Sequence, residues 1–227
     1  FERNGSNLDA AAKARVAEIN QRLATLGTQF TQNLLADEET LIWIEDSGDL
    51  SGLPQSTVSA MSETAKANGQ ADKWAVLNTR SAADPFLTYA DNRALRETVW
   101  RAFINRGDNG DEQDNNAIIA ETLKLRAERS KLLGYDTYAH WAIERQMAKT
   151  PEAAMELMLK VWPKAVARVE EEVADMQAVA DAEGANITIE PWDYRYYAEK
   201  VRKAKYDLDF NEVKPYIQLE NLREGMM

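Results

Sequence analysis

The single histidine of the sequence, His140, is the side chain most suited by type to hold a metal ion or to transfer a proton. It lies in the segment Tyr138-Ala-His-Trp-Ala142, and Glu144 is the acidic residue one helical turn later. A His-Glu-x-x-His zinc site requires two imidazoles on one helix, so this chain cannot form one. We therefore predict a structural or exposed role for His140.

Two acidic stretches suggest cation binding, and both fail on geometry. In Glu170-Glu-Glu172, neighbouring carboxylates diverge by about 100° around a helix and cannot converge on one ion. Residues 107–116 resemble a calcium loop, but taking Asp108 as the first ligand puts Gly110 third and Ile119 twelfth. We predict a solvated helix face for the first stretch and a solvated loop that caps the next helix for the second.

A basic and aromatic patch has the composition that single-strand nucleic-acid binders use. It comprises Tyr194, Tyr196, Tyr197, Lys200, Arg202, Lys203 and Lys205. The whole chain, however, has 38 acidic and 27 basic side chains and a net charge of −11, which opposes binding to a polyanion or to an anionic membrane. We predict salt bridges from this patch to acidic helices, and neither nucleic acid nor membrane as a partner.

The composition excludes further classes of chemistry. Without cysteine, the chain has no thiolate nucleophile, disulfide, iron–sulfur cluster or cysteine-based zinc site. The sequence also lacks a Gly-x-Ser-x-Gly nucleophile motif, a phosphate-binding glycine loop and a dinucleotide fingerprint. No window approaches about 18 uninterrupted apolar residues, so no membrane-spanning segment is predicted. With 227 residues, of which 44% are hydrophobic, the chain can still build a core.

The elements that position these residues are predicted to be amphipathic helices, because apolar residues recur every three or four positions. In the first half of the chain, helices are predicted over the first ~30 residues, from the Ser51–Pro54 turn to Asn68, and from Pro85, capped by Asp84, to about residue 106 with a break near Asp91-Asn92. The next are predicted around 118–132, ending at Gly134, from about 136 to 148, and from Pro151, capped by Thr150, to about 183. The last are predicted from Asp193, as cap, to Ala204, as a turn capped by Asp209, and from about Leu219. Pro163 should kink the 151–183 helix without breaking it.

Strands are predicted to be few and short. Trp74–Leu77 has the aromatic and β-branched character of a strand, and Ile187–Ile189 is a second extended segment. The predicted fold class is therefore all-α with at most one or two short strands, in one helical unit over residues 1–227.

Several of these segments, taken in order, resemble one family: the thimet oligopeptidase and bacterial peptidyl-dipeptidase (oligopeptidase A) zinc metallopeptidases, with the closer similarity to peptidyl-dipeptidase. The matching segments are Leu50-Ser-Gly-Leu-Pro54, Trp74-Ala-Val-Leu77, Asn92-Arg-Ala-Leu-Arg96 through Arg106-Gly107, Leu125-Arg126 with Leu132-Leu-Gly134, Met147-Ala-Lys-Thr-Pro151, and Pro191-Trp-Asp-Tyr-Arg-Tyr-Tyr197. They extend over nearly the whole chain.

The resemblance implies a cytoplasmic, two-lobed, channel-containing helical enzyme in which zinc activates water to cleave short peptides. In that family the zinc motif and the residues that polarise the scissile carbonyl lie beyond the position of Met227. The resemblance therefore implies no catalytic and no metal-binding residue in this chain, zinc only in the parent enzyme, and a scaffold and channel-wall role for residues 1–227. The substrate-binding residues stay unassigned.

Both ends of the sequence favour a fragment, because it lacks an initiator Met and ends on Met226 and Met227 without a polar tail. The partners expected for the parent enzyme are an oligopeptide substrate and the catalytic segment of the same protein. The alternative is a free-standing helical module of 227 residues that binds a partner helix or peptide in a groove.

Overall fold

The computed structural model describes residues 1–207 and 210–227. Its helices are α1 (Ala10–Glu38), α2 (Gln55–Ala67), α3 (Arg80–Tyr89), α4 (Arg93–Ile104), α5 (Asn116–Leu132), α6 (Tyr138–Ile143), α7 (Pro151–Ala182), α8 (Tyr194–Tyr206), α9 (Phe210–Val213) and α10 (Leu219–Met226). Its strands are β1 (Leu41–Ile44) and β2 (Trp74–Leu77), and short 3-10 turns occupy Glu2–Asn4, Ser47–Leu50 and Lys214–Tyr216. The predicted fold class is confirmed.

The long first helix packs along α5. Asp9 caps α1 by accepting a hydrogen bond from the Ala12 amide, so Leu8, predicted to lie on the helix, precedes it. Buried apolar residues of α1 contact buried apolar residues of α5 and form one hydrophobic cluster. This cluster contains Ile19, Leu26, Ile118 and Leu125. Helix periodicity thus predicted the face of α1 that is buried, but the helix begins at Ala10 and runs to Glu38, past the first ~30 residues that were predicted.

The two strands pair antiparallel, with Leu41 opposite Leu77 and Ile44 opposite Trp74, although α2 lies between them in sequence. Strand β2 was predicted and is confirmed, whereas its partner β1 was not predicted. Ile187–Ile189 forms no strand; the Ile189 amide instead donates to the Gln177 side chain at 3.0 Å. The sheet packs on α2, α3 and α4 around a second cluster with Ile44, Met61, Val76, Phe86 and Val99 at its centre.

The start of α3 differs from the prediction. Asp84-Pro85 was predicted to cap and open this helix, but α3 begins at Arg80 and contains Pro85 in its interior. The carbonyl of Thr79 accepts the amides of Ala82 and Ala83, so the helix is nucleated where the chain leaves β2, upstream of the proline. The predicted break near Asp91-Asn92 is confirmed.

After that break, Asn92 caps α4 by accepting the Leu95 amide at 3.1 Å. The loop that follows α4 is exposed in its middle and anchored by buried side chains at its ends. Asp37, 5% exposed, accepts the Gly107 amide at 2.5 Å, and the Asn115 amide donates to the Gly107 carbonyl at 2.7 Å. The loop is therefore solvated in its middle, as predicted, whereas its ends at Gly107 and Asn115 are buried.

Helices α5 and α6 form the predicted pair, but α6 is shorter than the predicted 136–148. It ends at Ile143, and the chain then turns through Lys149, which has a positive φ of 66°. Thr150 caps α7 by accepting the Ala153 amide at 3.2 Å, and Gly184 has φ of 68° just past its end, both as predicted. Helix α7 is continuous through Pro163; the bend there stays a prediction.

The last helices follow the predicted order. Helix α8 packs on the C-terminal half of α7 around Met176, Ala180 and Tyr197. Helix α10 begins at Leu219, as predicted. The turn expected to be capped by Asp209 lies outside the described residues. Within residues 1–207 and 210–227, none of the helices combines the length and apolar character needed to span a bilayer.

Candidate functional site

Asp193, a fully buried charged residue, links α4 to the start of α8 through a contact with Arg93 and Arg96 that we call the joint. Its carboxylate is inaccessible to solvent and receives Arg93 Nη2 and Arg96 Nη2 at 2.8 Å each. The Glu190 amide donates to the same carboxylate at 3.2 Å. Asp193 is the N-cap residue of α8, as predicted, but its side chain makes no capping bond: its backbone carbonyl starts the helix by accepting the Tyr197 amide.

The electrostatics of this joint follow from the two guanidinium groups. Burial alone would raise the pKa of Asp193, but hydrogen bonds from Arg93 and Arg96 outweigh it and hold the pKa below the usual value. The bond to Asp193 in turn raises the pKa of Arg93. Arg96 is 2% exposed and also donates to the Ala90 carbonyl at 2.8 Å. The joint is thus a buried, hydrogen-bonded ion pair with a fixed orientation.

A second polar contact lies beside this joint and also ties α8 to the first half of the chain. Asp91 accepts hydrogen bonds from Ser51 at 2.6 Å and from Tyr196 at 2.8 Å. The bond from Ser51 is the largest of the effects that lower the pKa of Asp91. Burial, and then the bond to Asp91, raise the pKa of Tyr196. The Arg96 guanidinium lies 4.0 Å from the centre of the Tyr196 ring. Tyr196 therefore contacts both Asp91 and the arginine of the joint.

A cleft of about 720 Å³ opens between α3, α4, α7 and α8 next to this joint. Its floor is apolar, with Leu87, Trp100 and Val173, and its rim carries Glu190 and Arg202. Such a cleft can bury an apolar side chain and orient a peptide through its charged rim. The lining therefore combines apolar surface for a side chain with charged groups at the rim.

The N-terminal half of α7 presents large apolar side chains to solvent. The exposed fractions include 53% for Met158, 61% for Leu159, 68% for Trp162 and 47% for Val169. Farther along the same helix, Met176 is only 1% exposed because α8 covers it. An exposed apolar strip of this extent is typical of a surface that contacts another polypeptide segment.

His140 lies near neither a second imidazole nor a cluster of acids. Its Nδ1 is 2.8 Å from Thr137 Oγ1 and its Nε2 is 3.7 Å from Glu152. Glu144, the predicted neighbour on the helix, pairs with Arg3 instead. Among residues 1–207 and 210–227, no three His, Asp or Glu side chains converge as metal ligands. A zinc ion of the kind that the resemblance implies for the parent enzyme does not fit these described residues.

The acidic run on α7 and the basic and aromatic patch on α8 both form contacts between side chains. Glu172 accepts hydrogen bonds from Arg168 at 3.1 Å and from the Tyr194 hydroxyl at 2.9 Å, so it is not only a solvated side chain. In the basic and aromatic patch, Lys200 pairs with Glu183 at 2.7 Å, which is the predicted kind of contact to an acidic helix. Lys205 pairs in the same way with Asp175 of α7.

The pairing of Arg93 and Arg96 with Asp193 was not predicted, although a signal for it was present in the sequence. Two arginines three residues apart share one face of a helix. In an acidic chain, a pair of cations on the apolar side of a helix indicates a buried carboxylate partner. The partner itself lies about 100 residues away and could not be read from local spacing.

Comparison with known proteins identifies the family. The model of "Peptidase family M3" matches residues 86–227. Dipeptidyl carboxypeptidase of Escherichia coli (strain K12) is 37% identical over 224 residues, which are 98% of this chain and 33% of that protein. Oligopeptidase A of Salmonella typhimurium is 34% identical over 233 residues, 100% of this chain and 34% of that protein. Saccharolysin of Saccharomyces cerevisiae is 27% identical over 232 residues, 99% of this chain and 32% of that protein.

The chain belongs to peptidase family M3, and the resemblance seen in its sequence segments is confirmed. Within that family it spans about a third of the length of the curated relatives it matches.

Proposed function

We propose that this chain is the scaffold segment of a longer zinc-dependent peptidase that hydrolyses short peptides and releases C-terminal dipeptides. Support comes from membership of peptidase family M3 and from the 37% identity to a dipeptidyl carboxypeptidase. Residues 1–227 act as one helical unit of a two-lobed, cytoplasmic enzyme, and its zinc is held by residues outside this chain. The proposal assigns no catalytic residue to the chain.

The observation that carries the scaffold role is the uncovered apolar half of α7. Its stripe continues from the buried Met176 to the exposed Trp162 and Met158 without a change in residue type. Leaving such side chains in water forgoes roughly 1.5–3 kcal/mol of burial for each large residue. A second polypeptide layer over residues 155–169 recovers that energy, and relatives about three times as long contain enough chain to supply one.

In this role the chain's own residues bind and orient rather than react. The joint of Asp193 with Arg93 and Arg96 fixes α8 against α4, and this contact shapes the cleft beside Trp100. A wall built on helices holds its side chains more rigidly than one built on loops. Zinc in the longer protein supplies the activation of water for peptide hydrolysis.

The activity is tested on the complete product of the gene with oligopeptides whose C-termini are free or amidated. We expect release of C-terminal dipeptides from the free peptides, loss of cleavage with a chelator, and recovery on adding zinc. Cleavage inside long peptides without dipeptide release would replace this specificity with that of an oligopeptidase. No cleavage of any peptide with zinc present would instead favour a free-standing helical interaction module.

The scaffold role is tested in the same full-length protein by Trp162→Asp, with Lys164→Asp as the matched control on the exposed polar side of α7. A covered Trp162 predicts a large loss of thermal stability and of peptide cleavage for the first variant alone. Equal behaviour of the two variants would show that nothing packs on this half of α7.

A further inference from the structure

A second surface, remote from the cleft, has an unusual combination of apolar and cationic groups. A groove of about 470 Å³ runs between α1 and α5, and we name it the α1–α5 groove. Its walls include Leu23, Gly27, Phe30, Ile119, Leu123 and Arg126. Ile119 and Leu123 are 43% and 59% exposed, so the groove leaves apolar surface uncovered.

One end of this groove holds two arginines that no acidic side chain of the described residues neutralises. The Arg126 guanidinium lies 4.9 Å from the centre of the Tyr138 ring, and that of Arg129 lies 4.6 Å from the Trp141 ring. Arg129 donates to the neutral Asn20 amide at 2.9 Å. Burial lowers the pKa of Arg129, and the charge of Arg126 lowers it further.

The acids of α5 are not available to these arginines, because they pair with α1. Glu128 accepts a bidentate contact from Arg15 at 2.6 and 3.0 Å, and Glu121 accepts one from Arg22 at 2.6 and 2.7 Å. The chain has 11 more acidic than basic side chains, yet Arg126 and Arg129 lie one helical turn apart without an acidic partner among the described residues. This arrangement indicates that an anion from outside the chain is missing. The charge pattern therefore favours an occupant that carries a carboxylate.

Gly27 leaves the backbone of α1 open to close approach from the groove. It lies inside a helix, where glycine is among the least favourable residues, and a Cβ at this position would meet no atom within 4 Å. Packing within the chain thus gives no reason for glycine here. A ligand lying against the helix does, since the absent side chain leaves room for it.

The groove is also short. From Leu23 to Phe30 its α1 wall rises about 10 Å at ~1.5 Å per residue. An extended peptide of three to four residues, at about 3.3 Å per residue, covers that length. We propose that the α1–α5 groove docks an oligopeptide that has apolar side chains and ends in a carboxylate, which Arg126 and Arg129 receive. The proposal rests on the proposed function only in taking peptides as the ligands.

The test measures fluorescence anisotropy of fluorescein-labelled Gly-Gly-Leu-Phe-Leu, with a free C-terminal carboxylate or a C-terminal amide, on this chain. We expect the amide to bind about tenfold more weakly, because it cannot form charge-assisted bonds with the arginines. Arg126→Gln, which removes a side chain stacked on Tyr138, should reduce this difference, and the Arg126→Gln/Arg129→Gln double variant should abolish it. Arg168→Gln on α7 is the matched control and should keep it.

Gly27→Leu provides an independent test that does not depend on charge. It should raise the melting temperature by about 2–4 °C, because leucine favours the helix, and yet abolish binding of both peptides. Equal binding of acid and amide, or unchanged binding by Gly27→Leu, would overturn the proposal. Self-association that Gly27→Leu removes would identify a second copy as the occupant instead. Chelator-sensitive cleavage by the longer protein is a separate readout, so failure here leaves the proposed activity standing.

Discussion

Asp193 is the residue whose removal should destabilise the described fold most for the fewest atoms changed. In Asp193→Asn the side chain keeps its shape but loses its charge, so Arg96 remains buried without a counter-ion. Removing one partner of a buried ion pair costs about 3–5 kcal/mol. A domain with a total stability of about 5–15 kcal/mol loses a large part of it. Urea unfolding followed by circular dichroism measures this change.

The matched control is Asp175→Asn, which removes an aspartate from a solvent-exposed pair with Lys205. Exposed ion pairs contribute about 0–1 kcal/mol, so this variant should unfold near the wild-type midpoint. A loss for Asp193→Asn no larger than that of Asp175→Asn would refute the argument that the joint is a desolvated ion pair. The double replacement of Arg96 by Met and Asp193 by Leu should restore part of the loss.

The same joint predicts the direction of the pH dependence. The pKa of Asp193 is lower in the folded chain than in the unfolded chain, where it is about 3.9. The stability that the joint contributes is therefore fully present above about pH 5 and is lost as the pH falls through the folded-state value. Asp193→Asn should show a shallower loss of stability between about pH 5 and pH 3 than the wild type. Identical slopes would contradict the lowered pKa.

Three further substitutions test local parts of the fold by urea unfolding. Gly107→Ala should lower the free energy of unfolding more than Gly69→Ala. Both glycines have a positive φ, which disfavours alanine by about 1–2 kcal/mol, but only at Gly107 would the new Cβ also approach Asn115, at 2.8 Å. Equal losses would exclude the clash. Thr150→Ala should cost about 1 kcal/mol through the lost cap of α7, and no change would show the cap is not formed. Trp162→Ala should cost under about 0.5 kcal/mol in this chain, since the ring is 68% exposed; a core-like loss would contradict that exposure.

The helices could be predicted because their signals are local. Thr150 and Pro151 start α7, and Gly184 ends it, whatever the rest of the chain does. Asp84-Pro85 carried the same kind of signal and failed, because the chain leaving β2 had already nucleated α3 at Arg80. Local capping patterns therefore predict the existence of a helix more reliably than they predict its first residue.

Strand β1 and the joint at Asp193 could not be predicted because their partners are distant in sequence. Leu41–Ile44 is a four-residue apolar run that directly follows a long helix, and such a run fits a helix end as well as a strand. Only its pairing with Trp74–Leu77 settles the difference. Asp193 likewise has good capping chemistry, but a bidentate contact with Arg93 outweighs one neutral hydrogen bond to a helix amide.

Helix α7 shows that an apolar sequence pattern specifies which face of a helix can be buried but not whether that face is buried. Its apolar period specifies which face would be buried, and the face is the same from Met155 to Ala180. Burial itself requires a partner: α8 provides one for Met176 and Ala180, and nothing in the described residues provides one for Trp162. Because the stripe keeps its spacing across both halves, the cover that fits the first half is of the same kind as α8, an element that packs along a helix ridge.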